Sequence, residues 1–181
     1  MTRLKPPVDD SRDHAKGRQD APITLVEYGD YECPHCGRAY PIVKEIQKTL
    51  KKDLRFVFRN FPLAEMHPHA LSAAKAAEAA SLQAKFWPMH DQIFEHQQHL
   101  DDRSLQRYAE ALGLEVPRFA ADAGSAGVAA HIDGDIEGGA RSGVNGTPTF
   151  FINGVRHDGS FDYDTLVEAL RAALPRPSSN F

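Results

Sequence analysis

The sequence predicts an α/β fold in which a small sheet is interrupted by a block of helices. Two short apolar runs flank an amphipathic stripe within residues 23–61, the pattern of a strand-helix-strand unit. Residues 63–139 then show helical periodicity with no strand pattern. Strand character returns at residue 149, with an Asn-Gly turn and one last amphipathic stripe.

Taken in order, residues 1–20 are polar and hold two prolines, so they are expected as a polar tail or an arm on the surface. Ile23 to Tyr28, bounded by Pro22 and Gly29, fits a buried strand. From Pro34 to about Leu50, Ala39, Ile42, Val43, Ile46 and Leu50 share one helical face. Pro41 inside that stripe predicts a kink. Leu54 to Phe61 is a second strand, stopped by Pro62. The alanine-rich run HPHALSAAKAAEAASLQ opens the helical block. Phe86, Met89, His90, Ile93 and Phe94 make a second helix, and Leu105, Tyr108, Ala109 and Leu112 a third that Gly113 ends. A fourth starts near Pro117 and carries Phe119. A fifth holds Val128, His131, Ile132, Asp135 and Ile136, loosened by Gly134, Gly138 and Gly139. Thr149 to Ile152 and Val155 to His157 form a hairpin about Asn153-Gly154. A helix from about Asp162 carries Leu166, Ala169, Leu170 and Ala173, and the tail from Pro175 is expected to be mobile.

A strand, helix and strand in that order imply a parallel pair, and the Asn-Gly turn an antiparallel one. The outline is a thioredoxin-like sheet, residues 21–62 and 140–174, with a helical subdomain, 63–139, inserted in its middle; residues 1–20 and 175–181 are the tails.

At 181 residues the chain suits one domain with an insertion. Hydrophobic residues at 41% and charged residues at 25% fit an ordinary globular protein, and the net charge of −4 argues against a nucleic-acid partner. No run approaches a membrane span of about 20 apolar residues, and the N-terminus lacks the apolar stretch of a secretory signal. The expectation is a cytoplasmic protein, with an exported protein lacking its signal as the alternative.

Both cysteines lie in YGDYECPHCG, at Cys33 and Cys36. A structural disulfide there would close a very short loop, worth only ~2 kcal/mol. A structural zinc needs four ligands, and the pair supplies two, with no second CxxC in the chain. A redox dithiol fits the position best. Cys33 follows a strand at the first turn of a helix, where free backbone N–H groups and the helix dipole favour a thiolate. Pro34 suits a first helical turn, and His35 adds a donor and, when protonated, a positive charge. Cys36 stands one turn on, placed to resolve a mixed disulfide at Cys33.

VEYGDYECPHC, the later GTPTFFING and the helical block between them resemble the DsbA-type thiol-disulfide oxidoreductases of the thioredoxin superfamily, over about residues 20–174. The resemblance implies an enzyme in which Cys33 is the exposed nucleophile and Cys36 the less accessible partner. It makes Pro148 the cis proline beside the disulfide, Thr147 a backbone partner for an extended substrate, and Glu27 the acid beneath the dithiol. The partners it implies are proteins or peptides with thiols or disulfides and a further redox partner, with no cofactor beyond the cysteine pair, no nucleic acid and no membrane. Pro34-His35 resembles the oxidising type, whereas a cytoplasmic location favours reduction. Two readings of other classes stand beside exchange: a metal-binding module using Cys33, Cys36 and nearby histidines, and a chaperone-like peptide-binding domain. The remaining histidines are expected at the surface or in packing.

Overall fold

The computed structural model describes residues 1–175. The elements run β1 (His14–Lys16), β2 (Ile23–Gly29), α1 (Pro34–Leu50), β3 (Leu54–Asn60), α2 (Ala70–Ser81), α3 (Phe86–Glu95), α4 (Asp102–Ala111), α5 (Val116–Ala123), α6 (Ala126–Arg141), β4 (Thr149–Ile152), β5 (Val155–His157) and α7 (Tyr163–Ala172). The five strands form one sheet in the order β1-β3-β2-β4-β5. β2 and β3 are parallel, with Glu27 opposite Phe58, and the other pairs are antiparallel. Of the expected tail 175–181, only Pro175 is among the described residues.

β2 and β3 read as nearly unbroken apolar runs because the sheet is covered on both faces. Alternate residues go to opposite sides. Leu25, Phe56 and Phe58 join the larger core with Val43 and Ile46 of α1, Leu166 and Leu170 of α7, and the apolar faces of α2 to α6. Val26, Tyr28, Val57 and Phe151 face a smaller core closed by Leu4, Val144, Val8 and Phe61. Asn153 and Gly154, both at positive φ, make the hairpin turn that their types favour.

Residues 1–20 are not a free tail. β1 pairs with β3, His14 opposite Phe58, and so covers what would be a bare sheet edge. Leu4 is buried, and Arg59 is fully enclosed by this segment. Its guanidinium pairs with Asp13 at 2.8 and 2.9 Å and donates to the carbonyls of Pro6 and Pro7 and to the Tyr28 hydroxyl. The composition hides this because backbone pairing and a charged anchor hold the segment, not an apolar run. Pro41 sits within the single helix α1. The glycines of α6 serve close approach rather than loosening. A Cβ on Gly139 would stand 2.8 Å from the Phe61 ring, and one on Gly138 3.2 Å from the Lys5 carbonyl.

Candidate active site

The end of β2 delivers the chain to the first turn of α1. Cys33 is the N-cap in extended conformation, Pro34 opens the helix, and the Gly37 N–H donates to the Cys33 carbonyl at 3.0 Å. Cys36 therefore lies one turn further along and inward. Cys36 is 0% exposed and Cys33 only 3%, so the expectation of an exposed nucleophile is corrected: the sulfur sits in a covered notch. Pro34 and His35 stand exposed beside it. The Thr147–Pro148 peptide is cis, and the Cys33 thiol lies 3.5 Å from the Thr147 carbonyl, so residues 114 apart in sequence meet.

The two sulfurs are electrostatically unequal. A hydrogen bond from the Cys36 thiol, helped by the Thr147 side chain and the backbone N–H groups of Cys36 and His35, brings the Cys33 thiol down to about 5 against the opposing effect of burial. Burial first, then its donation to Cys33 and the nearby Glu27, pushes Cys36 far up. His35 acts through its backbone. Its Nδ1 is paired with the Arg38 guanidinium.

Glu27 lies on the α1 face of β2 and is 3% exposed, not on a solvated side. Its Oε1 has no hydrogen-bond partner. Burial, reinforced by the charge of Cys33, raises its carboxyl to about 8. His90, fully buried, is pushed down to about 3 by the same loss of hydration and stays neutral, bonded at Nδ1 to the Tyr31 hydroxyl at 2.9 Å.

Four residues of the site escaped the sequence reading. Gln97, just past α3, donates to the carbonyls of Tyr31 (3.0 Å) and Cys33 (2.7 Å), tying the helical block to the CxxC turn. Gly37 makes room for it, since a Cβ there would meet the Gln97 amide. His67 and His69, read as surface or packing residues, pair with Asp30 and Glu32 at 2.8 and 2.9 Å, fastening the loop after β3 beside the cysteines. Burial works against a charged His67, but its bond to Asp30 and the charges of Asp30, Cys33 and Glu32 carry its pKa above the ordinary range. Two acids at spacing two facing two histidines at spacing two was the signal available for this pairing.

Both cysteines are free thiols. A buried dithiol with one depressed and one elevated thiol, at a strand-helix junction, is the redox centre of this molecule.

Comparisons with known proteins agree with that geometry. A family model described as thioredoxin matches residues 9–172. A thioredoxin-like oxidoreductase from Silicibacter pomeroyi superposes with a TM-score of 0.81 at 27% identity, covering 91% of this chain and 93% of its own. Oxidised BdbD from Bacillus subtilis gives 0.81 at 24% identity over 96% and 98%, and the thiol-disulfide exchange protein α-DsbA2 from Wolbachia pipientis 0.79 at 21% over 90% and 88%. The last two speak for the fold alone, including the large helical insertion α2 to α6. Among curated relatives, the Na(+)/H(+) antiporter NhaA 1 of Salinispora arenicola is 46% identical over 94% of this chain, and NhaA of Herminiimonas arsenicoxydans 42% over 94%. The chain spans about a quarter of the length of these relatives, 26% and 27%. Antiport is said of those proteins. Among the described residues no helix is long and apolar enough to cross a membrane.

The cytoplasmic location expected from the missing signal is overturned. It rested on where the sequence begins, which fixes no compartment, and the structures this chain resembles include a thiol-disulfide exchange protein of the DsbA type. By its match over residues 9–172, its fold and its CxxC pair at Cys33 and Cys36, the chain belongs to the thioredoxin family as a DsbA-like thiol-disulfide oxidoreductase.

Proposed function

We propose that this protein oxidises thiols of protein clients, in the manner of a DsbA-type oxidase or isomerase, with Cys33 as the sulfur that clients meet. The observation that carries the reading is the inequality of the pair, Cys33 held near 5 and Cys36 far above its usual range. A thiolate stabilised at Cys33 favours the reduced pair, and a pair that favours its reduced form is an oxidant.

In the oxidising direction a client thiolate attacks the sulfur of Cys33 in the Cys33–Cys36 disulfide. The S–S bond breaks, a client–Cys33 disulfide forms, and Cys36 leaves with the electron pair. Glu27, protonated below about pH 8, is the acid near enough to neutralise that thiolate. A second client thiolate then attacks the client sulfur of the mixed disulfide and expels Cys33 as a stable thiolate. The client loses two electrons and the pair gains them. In reverse, Cys33 is the attacking thiolate and Cys36 resolves. Thr147 and Pro148 border the Cys33 sulfur, where the Thr147 backbone can pair with an extended client. Pro34 and His35 face the client side of the notch.

The reduction potential measured against glutathione tests the direction. We expect a value much less negative than the roughly −270 mV of thioredoxin. A value near that figure would make the protein a reductase and overturn the reading. Cys36→Ser should accumulate client–Cys33 mixed disulfides, and Cys33→Ser should abolish exchange.

A further inference from the structure

The geometry points to a second site, remote from the cysteine pair in its ligands: His14, Glu78 and His131 form a three-ligand site for a borderline divalent transition ion of the zinc class. The residues come from β1, α2 and α6, and nothing in disulfide exchange needs them. The His14 Nε2 lies 2.8 Å from Glu78 Oε2, and the His131 Nε2 3.5 Å from Glu78 Oε1. One donor atom from each residue falls within 4.8 Å of the other two. Tetrahedral zinc, with ligands about 2.0–2.2 Å away, holds its donors roughly 3.3–3.6 Å apart, so small side-chain shifts suffice.

The surroundings are those of a supported site. His14 is fixed in orientation by stacking on Phe86, ring centroids 3.6 Å apart and nearly parallel. Glu78 is 3% exposed, and its Oε1 accepts from the Asn60 amide at 2.7 Å. That amide also donates to Asp135 at 3.1 Å, and Arg12 pairs with Asp135 at 2.6 Å. Outer contacts of this kind orient metal ligands. Two enclosed carboxylates, Glu78 and Asp135, thus face a single guanidinium, leaving one negative charge for the histidines or a cation to balance. The histidines are partly exposed, 17% and 23%, and line a cleft of about 410 Å³ between Arg12, Ser81 and Ser125. An ion can therefore enter, and a fourth coordination position faces the cleft.

Two imidazoles and one carboxylate suit zinc, cobalt, nickel or copper, whereas calcium and magnesium prefer oxygen donors. Bound there, the ion would clasp the N-terminal segment to the helical insertion, because each ligand belongs to a different element.

The test uses untagged, chelator-treated protein with Cys33 and Cys36 oxidised, so that the thiols cannot serve as ligands. Calorimetric titration with Zn²⁺ should give one ion per chain, and Tm should rise by roughly 5–10 °C at a hundredfold excess over Kd. Co²⁺ should produce visible d–d absorption without a thiolate charge-transfer band. His131→Ala, a change at a partly exposed position, should weaken binding by about tenfold or more while the metal-free Tm stays close to that of the parent; His14→Phe, which keeps the stacking on Phe86 but removes the partner of Glu78, should weaken binding as much and lower the metal-free Tm. No binding, binding unchanged in both variants, or stabilisation by Ca²⁺ equal to that by Zn²⁺ would overturn the assignment.

Discussion

Cys33 and Glu27 illustrate how two side chains acquire opposite titration behaviour from one buried notch. Hydrogen bonds from Cys36, Thr147 and backbone N–H groups favour the charged form of Cys33, whereas Glu27 has no such donor and only loses its hydration. Alkylation of Cys33 by iodoacetamide should accordingly follow a single titration centred near pH 5 and be flat from pH 7 to 8, with Cys36 unreactive. A midpoint near 8.5, that of a free thiol, would remove the activated thiolate. The same shifts have a consequence for stability. Glu27, raised from 4.5 to about 8, lends stability at low pH that is lost as pH climbs between those values, roughly 5 kcal/mol in all. Cys33, lowered from 9.0 to about 5, does the reverse, adding stability as pH climbs from 5 to 9, by less than the full shift because solvent screens it. In the oxidised protein the Cys33 contribution vanishes. Urea denaturation should therefore show the oxidised form losing more stability from pH 5 to 8 than the reduced form does. Glu27→Gln should abolish the loss in the oxidised form and slow exchange; a parallel decline in both redox states would contradict the assignment.

Elements, not residues, set where the sulfurs point. β2 ends on the sheet, α1 begins at Pro34, and the junction leaves Cys33 and Cys36 a turn apart. That geometry is local, and strand, proline and spacing were enough to read it from VEYGDYECPHC. The GTPTFFING segment was likewise legible, because a Gly-Thr-Pro before a strand is a specific arrangement, although its meeting with Cys33 is a matter of the β2–β4 pairing. Gln97 was not legible, since a polar residue after a helix carries no pattern; only the packing of α3 against the sheet brings its amide to the Tyr31 and Cys33 carbonyls. Gln97→Ala should cost about 1–2 kcal/mol in chemical denaturation by removing the donor to the Tyr31 carbonyl and leaving the Cys33 carbonyl with only the Gly37 N–H. It should also alter the rate at which Cys33 is alkylated, a readout that a purely structural loss would leave unmoved. Gly139→Val addresses α6 in the same way. A side chain there would collide with Phe61 and Tyr28, so a loss of about 1–3 kcal/mol is expected, whereas Gly113→Ala lacks any neighbour within contact and strains only its positive φ.

Across the whole molecule, the N-terminal segment proves to be part of the sheet. Asp13 and Arg59 are each 1% exposed, and the guanidinium is further enclosed by Pro6, Pro7 and Tyr28. Asp13→Ala would leave a buried charge without its partner and should cost about 3–5 kcal/mol of unfolding free energy. A cost below 1 kcal/mol would mean that this segment is not anchored as described. Its polar sequence gave no warning, because a three-residue strand and one ion pair leave no periodicity to read.

By itself, the sequence determined the α/β order of elements from residue 23 onward, the helical block between the strands at 54–61 and 149–152, and the chemistry of Cys33 and Cys36. These follow from local spacing, turn residues and hydrophobic periodicity, which act over a few residues at a time. Tertiary structure alone decided that Cys33 is covered, how far Glu27 is raised, and that His67, His69, His14 and His131 face carboxylates rather than water. Those outcomes depend on burial and on charges brought together from distant segments, and burial is a property of the packed chain rather than of any stretch of it.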